Sequence, residues 1–152
     1  MKVIFLDIDG VLVTGRVQFR RFDPLAVAAL NRIMEVTGAH IVISSSMRRN
    51  RTIMELDAML TEQGVTAGSV IGATPTSAVI ERLLAQRPGS IIRQRARGAD
   101  ISAWLAVHPE VTAWCAIDDE KDSGPERLVL TNAAEGLTET AADMAIGLLG
   151  TK

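Results

Sequence analysis

The chain has 152 residues, 47% of them hydrophobic, and a formal net charge of −2, enough apolar side chain for one ordinary core and too much for a disordered chain. No apolar stretch is long enough to span a bilayer, and the first apolar run, 3–6, stops at Asp7, unlike a signal peptide. The single cysteine, Cys115, excludes an internal disulfide, so the expected setting is reducing and cytoplasmic, with no membrane partner.

The predicted elements alternate. Residues 2–7 read as a buried strand that ends on an acid. Residues 11–19 are apolar and β-prone around Thr14-Gly15, which predicts a small hairpin. Asp23 caps a helix that opens on Pro24 and closes at Gly38. Residues 40–43 form the second strand. Three serines, Ser44, Ser45 and Ser46, follow it, and then the basic segment 47–51. A helix over 52–63 stops at Gly64. A short strand at 69–71 precedes the Thr74-Pro75 break, and Thr76 caps a helix over 76–86. Residues 91–97 are mixed, 100–107 are helical, 111–117 form a strong strand ending at Asp118-Asp119, 127–131 a short one, and 138–149 a terminal helix. This order predicts one α/β domain over 1–152: a Rossmann-like parallel sheet with helices on both faces.

Ligands of such sheets bind beyond the carboxyl ends of the strands. The polar residues there are Asp7, Asp9, Ser44, Ser45, Asp118, Asp119 and Asp122. A carboxylate at the end of a buried strand is costly unless it is solvated, paired or bound to a cation. Asp7 and Asp9 repel each other, and a divalent ion relieves that repulsion. Hard oxygen donors with few cysteines or histidines point to magnesium rather than zinc. Gly10 lets the chain turn sharply beside them. Asp118-Asp119 supplies the second acidic cluster. The bland alternative, two solvated acidic turns, has to occur twice at strand ends in one short chain.

The serine hydroxyls can donate to a phosphoryl oxygen, or merely cap the next helix. A serine nucleophile lacks a base, because His40 and His108 fall where structural roles serve better. Trp104, Trp114 and Cys115 sit in core patterns. Arg97, with Arg93 and Arg95, could set a cation against a transferring phosphoryl group. Thirteen of sixteen basic residues are arginine, and residues 1–100 carry a balance of +4 against −6 for 101–152. Arginine forks match phosphate geometry, although a codon bias explains the same count.

Asp7-x-Asp9, serine after the next strand, a basic residue and then Asp-Asp after a later strand resembles the haloacid dehalogenase (HAD) superfamily over nearly the whole chain. The stretches Leu6–Leu12, Ile43–Arg48, Arg97–Ile101 with Trp104-Leu105, and Ile117–Asp119 are similar to HAD-like domains associated with Swiss Army Knife RNA repair proteins. Such domains more often carry tryptophan where Met47 stands and glutamate where Asp100 stands. The resemblance implies that Asp7 attacks phosphorus to give an aspartyl-phosphate, and that Asp9 acts as general acid and then base. It implies that Ser45, or Ser44 one residue earlier, binds the phosphoryl group and that Arg97 fills the family's basic position. Gly10, Ser44, Ser46 and Arg48 are then substrate-binding. Mg²⁺ would be held by Asp7, the Asp9 carbonyl, Asp118 and Asp119. Neither 10–41 nor 47–96 has room for a sizeable cap. In this family an open site takes a macromolecular substrate, such as a phosphorylated nucleic-acid end, or is covered by another subunit of a homo-oligomer. A non-catalytic binding domain is disfavoured by the intact acidic set. A receiver domain ranks lower still, since its acidic pair and lysine fall elsewhere.

Overall fold

A computed structural model describes residues 1–75, 92–121 and 125–152, with the side chains of 92–96 and 125 outside the description. Five parallel strands, β1 (Lys2–Leu6), β2 (His40–Ile43), β3 (Val70–Ala73), β4 (Ala113–Asp118) and β5 (Leu128–Leu130), form one sheet in the order β3-β2-β1-β4-β5. The described helices are α1 (Pro24–Thr37), α2 (Ile53–Glu62), α3 (Ile92–Ala106) and α4 (Glu139–Leu149). This is the expected α/β, Rossmann-like arrangement, and the described residues form no sizeable cap. The expected helix over 76–86, and Asp122, lie outside the described residues.

The alternation along β1 divides the core. Ile4 and Leu6 face α1, α2 and α4 in the larger cluster, whereas Val3 and Phe5 join Val42, Ala116, Ile101 and Trp104 on the α3 side. Phe5 meets Trp104 and Trp114 edge-on at 5.5 and 5.6 Å. The His108 ring stacks on Trp104 at 3.6 Å, which gives this histidine a packing role.

The helix ends follow their capping residues. Asp23 accepts from the Leu25 amide at the start of α1, and Gly38 closes that helix at φ +69. Thr52 and Glu55 form a reciprocal capping box on α2, and Thr138 caps α4.

Two expectations are corrected. Residues 11–19 do not form a hairpin. The amides of Val11, Leu12 and Val13 all turn back onto the Ile8 carbonyl, so the chain coils tightly and buries Val11 and Leu12. Second, α3 starts at Ile92 rather than at residue 100, so Arg97 lies within the helix. Arginine, glutamine and alanine are good helix formers, and the one glycine, Gly98, costs only about 1 kcal/mol.

Asp23 has a second task. It accepts from the Thr14 hydroxyl at 2.8 Å and from Arg16 Nε at 2.9 Å, and so pins the loop after β1 to the start of α1. Burial alone would raise its pKa, but the bonds from Thr14, Leu25 and Arg16 hold it below the ordinary carboxylate range. The stability it adds is therefore present above the ordinary value and is lost as pH falls through the lowered one. Asp23→Ala is expected to cost roughly 1–3 kcal/mol at pH 7, and distinctly less in strong acid, in chemical denaturation.

Candidate active site

The site grows out of the sheet register. Leu6 pairs with Ile43 on one side and Ile117 on the other, and Ile43 pairs with Ala73. One residue further along each strand stand Thr74, Ser44, Asp7 and Asp118. Their ladder continues, with the Thr74, Ser44 and Asp7 amides donating to the carbonyls of Ile43, Leu6 and Ile117. In-register side chains share a face. Asp7 follows Phe5 in the alternation, so this polar row lies on the α3 side.

Asp7 is 2% exposed. Arg97 lies one turn before Ile101 and two before Trp104, which fix α3 to the sheet, and so reaches over the row. Its Nη1 lies 3.0 Å from Asp7 Oδ2 and 2.7 Å from Asp118 Oδ2. Burial opposes the arginine's charge, but the two carboxylates outweigh it and hold the guanidinium firmly protonated. Burial pushes Asp7 up to about 7, and the Asp118 carboxylate adds to this, while Arg97 pulls it back. Asp119 is raised too, by burial first and then by Asp118. Asp118 Oδ1 accepts from the Glu120 amide at 3.0 Å, which fixes the acidic turn. Gly10 has φ +78, and any side-chain carbon there would overlap the Asp119 carboxylate. The Thr131 hydroxyl holds the Gly10 carbonyl at 2.8 Å.

Asp7, Asp118 and Asp119 each offer an oxygen within 4.8 Å of the others. Three hard donors at that spacing suit a cation such as Mg²⁺. The Asp9 side chain stands apart from this cluster. It is exposed, and Arg20 Nη2 lies 3.0 Å from its Oδ1.

The serines divide. Ser44 and Ser45 are both buried, but Ser45 Oγ accepts from the Met47 amide at 3.2 Å as the cap of the short turn Ser46–Arg48, whereas Ser44 is the register neighbour of Asp7. Ser46 opens that turn, half-buried. Arg48, expected to face substrate, turns inward instead. Its guanidinium donates to the carbonyls of Thr74, Ser44 and Ser45 and pairs with Asp100 at 3.0 Å, both side chains being 7% exposed. The physical reason is α3, which brings Asp100, a buried acid, against the serine turn, where the Arg48 cation pairs with it. Arg16 is likewise used inside the fold, on Asp23 and the Glu135 carbonyl. The sequence reading missed Thr74, whose buried hydroxyl has no hydrogen-bond partner among the described residues. Its signal was the one that marked Ser44, a polar residue directly after a buried strand.

The family model described as the HAD domain in Swiss Army Knife RNA repair proteins matches residues 3–142. No curated protein and no solved structure matches the chain.

Three outcomes follow from the geometry. Between pH 3.8 and about 7 the metal-free native state keeps a proton on Asp7 that the unfolded chain has released, so stability falls as pH rises across that window. Asp7→Asn is therefore expected to be more stable than the wild type at pH 8, with the gap closing toward pH 4 in thermal melts. Magnesium should raise the wild-type Tm more at pH 8 than at pH 5. Arg48→Ala leaves Asp100 without this partner, and is expected to lose roughly 3–5 kcal/mol in denaturant titrations.

Proposed function

The chain belongs to the family of HAD domains in Swiss Army Knife RNA repair proteins, and from that premise we propose that it is a magnesium-dependent phosphatase acting through an aspartyl-phosphate, with phosphorylated nucleic-acid ends as substrate. The observation that carries the reading is one buried carboxylate, Asp7, bridged to Asp118 by the Arg97 cation at a strand end, with a second carboxylate, Asp9, two residues on at the solvent edge.

Asp7 attacks phosphorus while the bond from phosphorus to the leaving oxygen breaks, and Asp9 gives that oxygen its proton. Asp9 then takes a proton from water. The water oxygen bonds to phosphorus, the bond to Asp7 breaks, and phosphate leaves with the carboxylate restored. Arg97 keeps Asp7 aligned and sets positive charge beside the developing phosphoryl charge. Ser44, the register neighbour of Asp7, is the hydroxyl assigned first to the phosphoryl oxygens, and Ser45, whose capping bond uses only an acceptor lone pair, keeps its proton to donate beside it. Asp7, Asp118 and Asp119 would hold a magnesium ion, which when bound would supply the remaining charge neutralisation. Asp7 ionises more readily as the positive charge around it grows, which suits a nucleophile needed at neutral pH.

The nucleic-acid assignment is supported by the family's description, by the lack of a sizeable cap among the described residues, and by Arg20 and Arg21 in the loop that borders Asp9.

Asp7→Asn should abolish turnover of any phosphate ester, and Asp9→Asn should slow it by about 10²–10⁴-fold. Chelation should stop the reaction and magnesium restore it. An end-phosphorylated oligonucleotide should be preferred over a mononucleotide, and the preference should fade as salt rises, because backbone contacts release counterions. Equal efficiency on both substrates, indifferent to salt, would instead favour a small-molecule phosphatase closed by oligomerisation. Wild-type turnover by Asp7→Asn would remove the mechanism.

A further inference from the structure

Of the three phenylalanines, Phe5 and Phe22 are buried, whereas Phe19 is 89% exposed. Phe19 and the next residue, Arg20, both lie in the left-handed region, at φ +62 and +56. Consecutive bulky residues are strained there, and strain that survives at a surface points to use rather than packing.

The loop that carries them is built in two parts. Its first half is fixed: Val11 and Leu12 are buried, and Thr14 and Arg16 are tied to Asp23. Its second half, 18–21, is exposed. The contact that brings this half to the site is Arg20 Nη2 on Asp9, at 3.0 and 3.3 Å to the two oxygens. The two side chains are 72% and 52% exposed, so the pair is weak and readily exchanged.

Asp9 is the group assigned to protonate the leaving oxygen. The leaving group must therefore meet Asp9 from the solvent side, where Arg20 already stands with Phe19 beside it. We propose that the Phe19–Arg20 turn reads the leaving group, the Phe19 ring stacking on the base of the terminal nucleotide while Arg20 exchanges Asp9 for a backbone phosphate. An exposed ring next to an exposed guanidinium matches the alternation of base and phosphate along a strand. This inference rests on the phosphatase reading for the role of Asp9, while its binding test does not require turnover.

The test compares oligonucleotides whose phosphorylated terminal nucleotide either bears a base or is abasic. Binding is measured in the Asp7→Asn background, and KM and kcat in the otherwise wild-type chain. Phe19→Asn removes the ring while keeping a residue that tolerates the left-handed turn. The parent chain should prefer the base-bearing end by roughly tenfold, in affinity and in KM rather than kcat, and Phe19→Asn should abolish that preference. Met54→Ala, at an exposed apolar residue on α2, should retain it. Equal binding of the two ends by the parent chain, an unchanged preference in Phe19→Asn, or tighter binding of a phosphopeptide would overturn the proposal. A ring-dependent preference without turnover in the otherwise wild-type chain would instead sink the phosphatase reading and leave the stacking contact standing.

Discussion

The structure depends on Arg97 lying between Asp7 and Asp118, at 3.0 and 2.7 Å. Two carboxylates at the buried ends of neighbouring strands repel each other, and both are almost wholly shielded from solvent. One guanidinium offsets much of that cost, yet Asp7 is still pushed up to about 7. The cost falls to stability, and the product is a carboxylate fixed at a strand end by Arg97. The requirement propagates outward. Arg97 has to arrive from above the row, so α3 has to pack on the face that carries Phe5 and Asp7, and Ile101 and Trp104 hold it there.

The serine turn is fastened to the same helix. Asp100 stands one turn after Arg97 and pairs with Arg48, which grips the carbonyls of Ser44, Ser45 and Thr74. The ends of β2 and β3 and the helix that carries Arg97 thus share one buried ion pair. Buried pairs of this kind add little net stability, but removing one partner is costly, which makes them good at fixing a relative position. On the other side of Asp7 the constraint is steric. Gly10 has no side chain because the Asp119 carboxylate occupies the space one would need.

Much of this was legible in the sequence. The strands ending on Asp7, Ser44 and Asp118 follow from apolar runs that stop at polar residues, and α1 follows from Asp23, Pro24 and Gly38, with bounds that agree with the structure. The HAD family was legible from the motif order. What was not legible is what depends on contacts across the chain. Arg48 reads as a surface cation until α3 brings Asp100 to it. Residues 11–19 read as a hairpin because β-branched residues carry no sign that three amides will share the Ile8 carbonyl. The choice between Ser44 and Ser45 turns on a strand end one residue away, and pattern alone does not place strand ends that finely. The exposure of Phe19 was also out of reach, since an isolated phenylalanine in an apolar run signals burial.

The central claim is that Asp7 is the nucleophile. It is tested most directly by quenching the enzyme during turnover of a phosphate ester with magnesium, reducing it with borohydride, and mapping the modified peptide by mass spectrometry. An acyl phosphate at Asp7 is reduced to homoserine, so the account predicts conversion at position 7, none at Asp9, and none at either without substrate. Steady turnover with Asp7 unmodified, or with the mark on Asp9, Asp118 or Asp119, would contradict it.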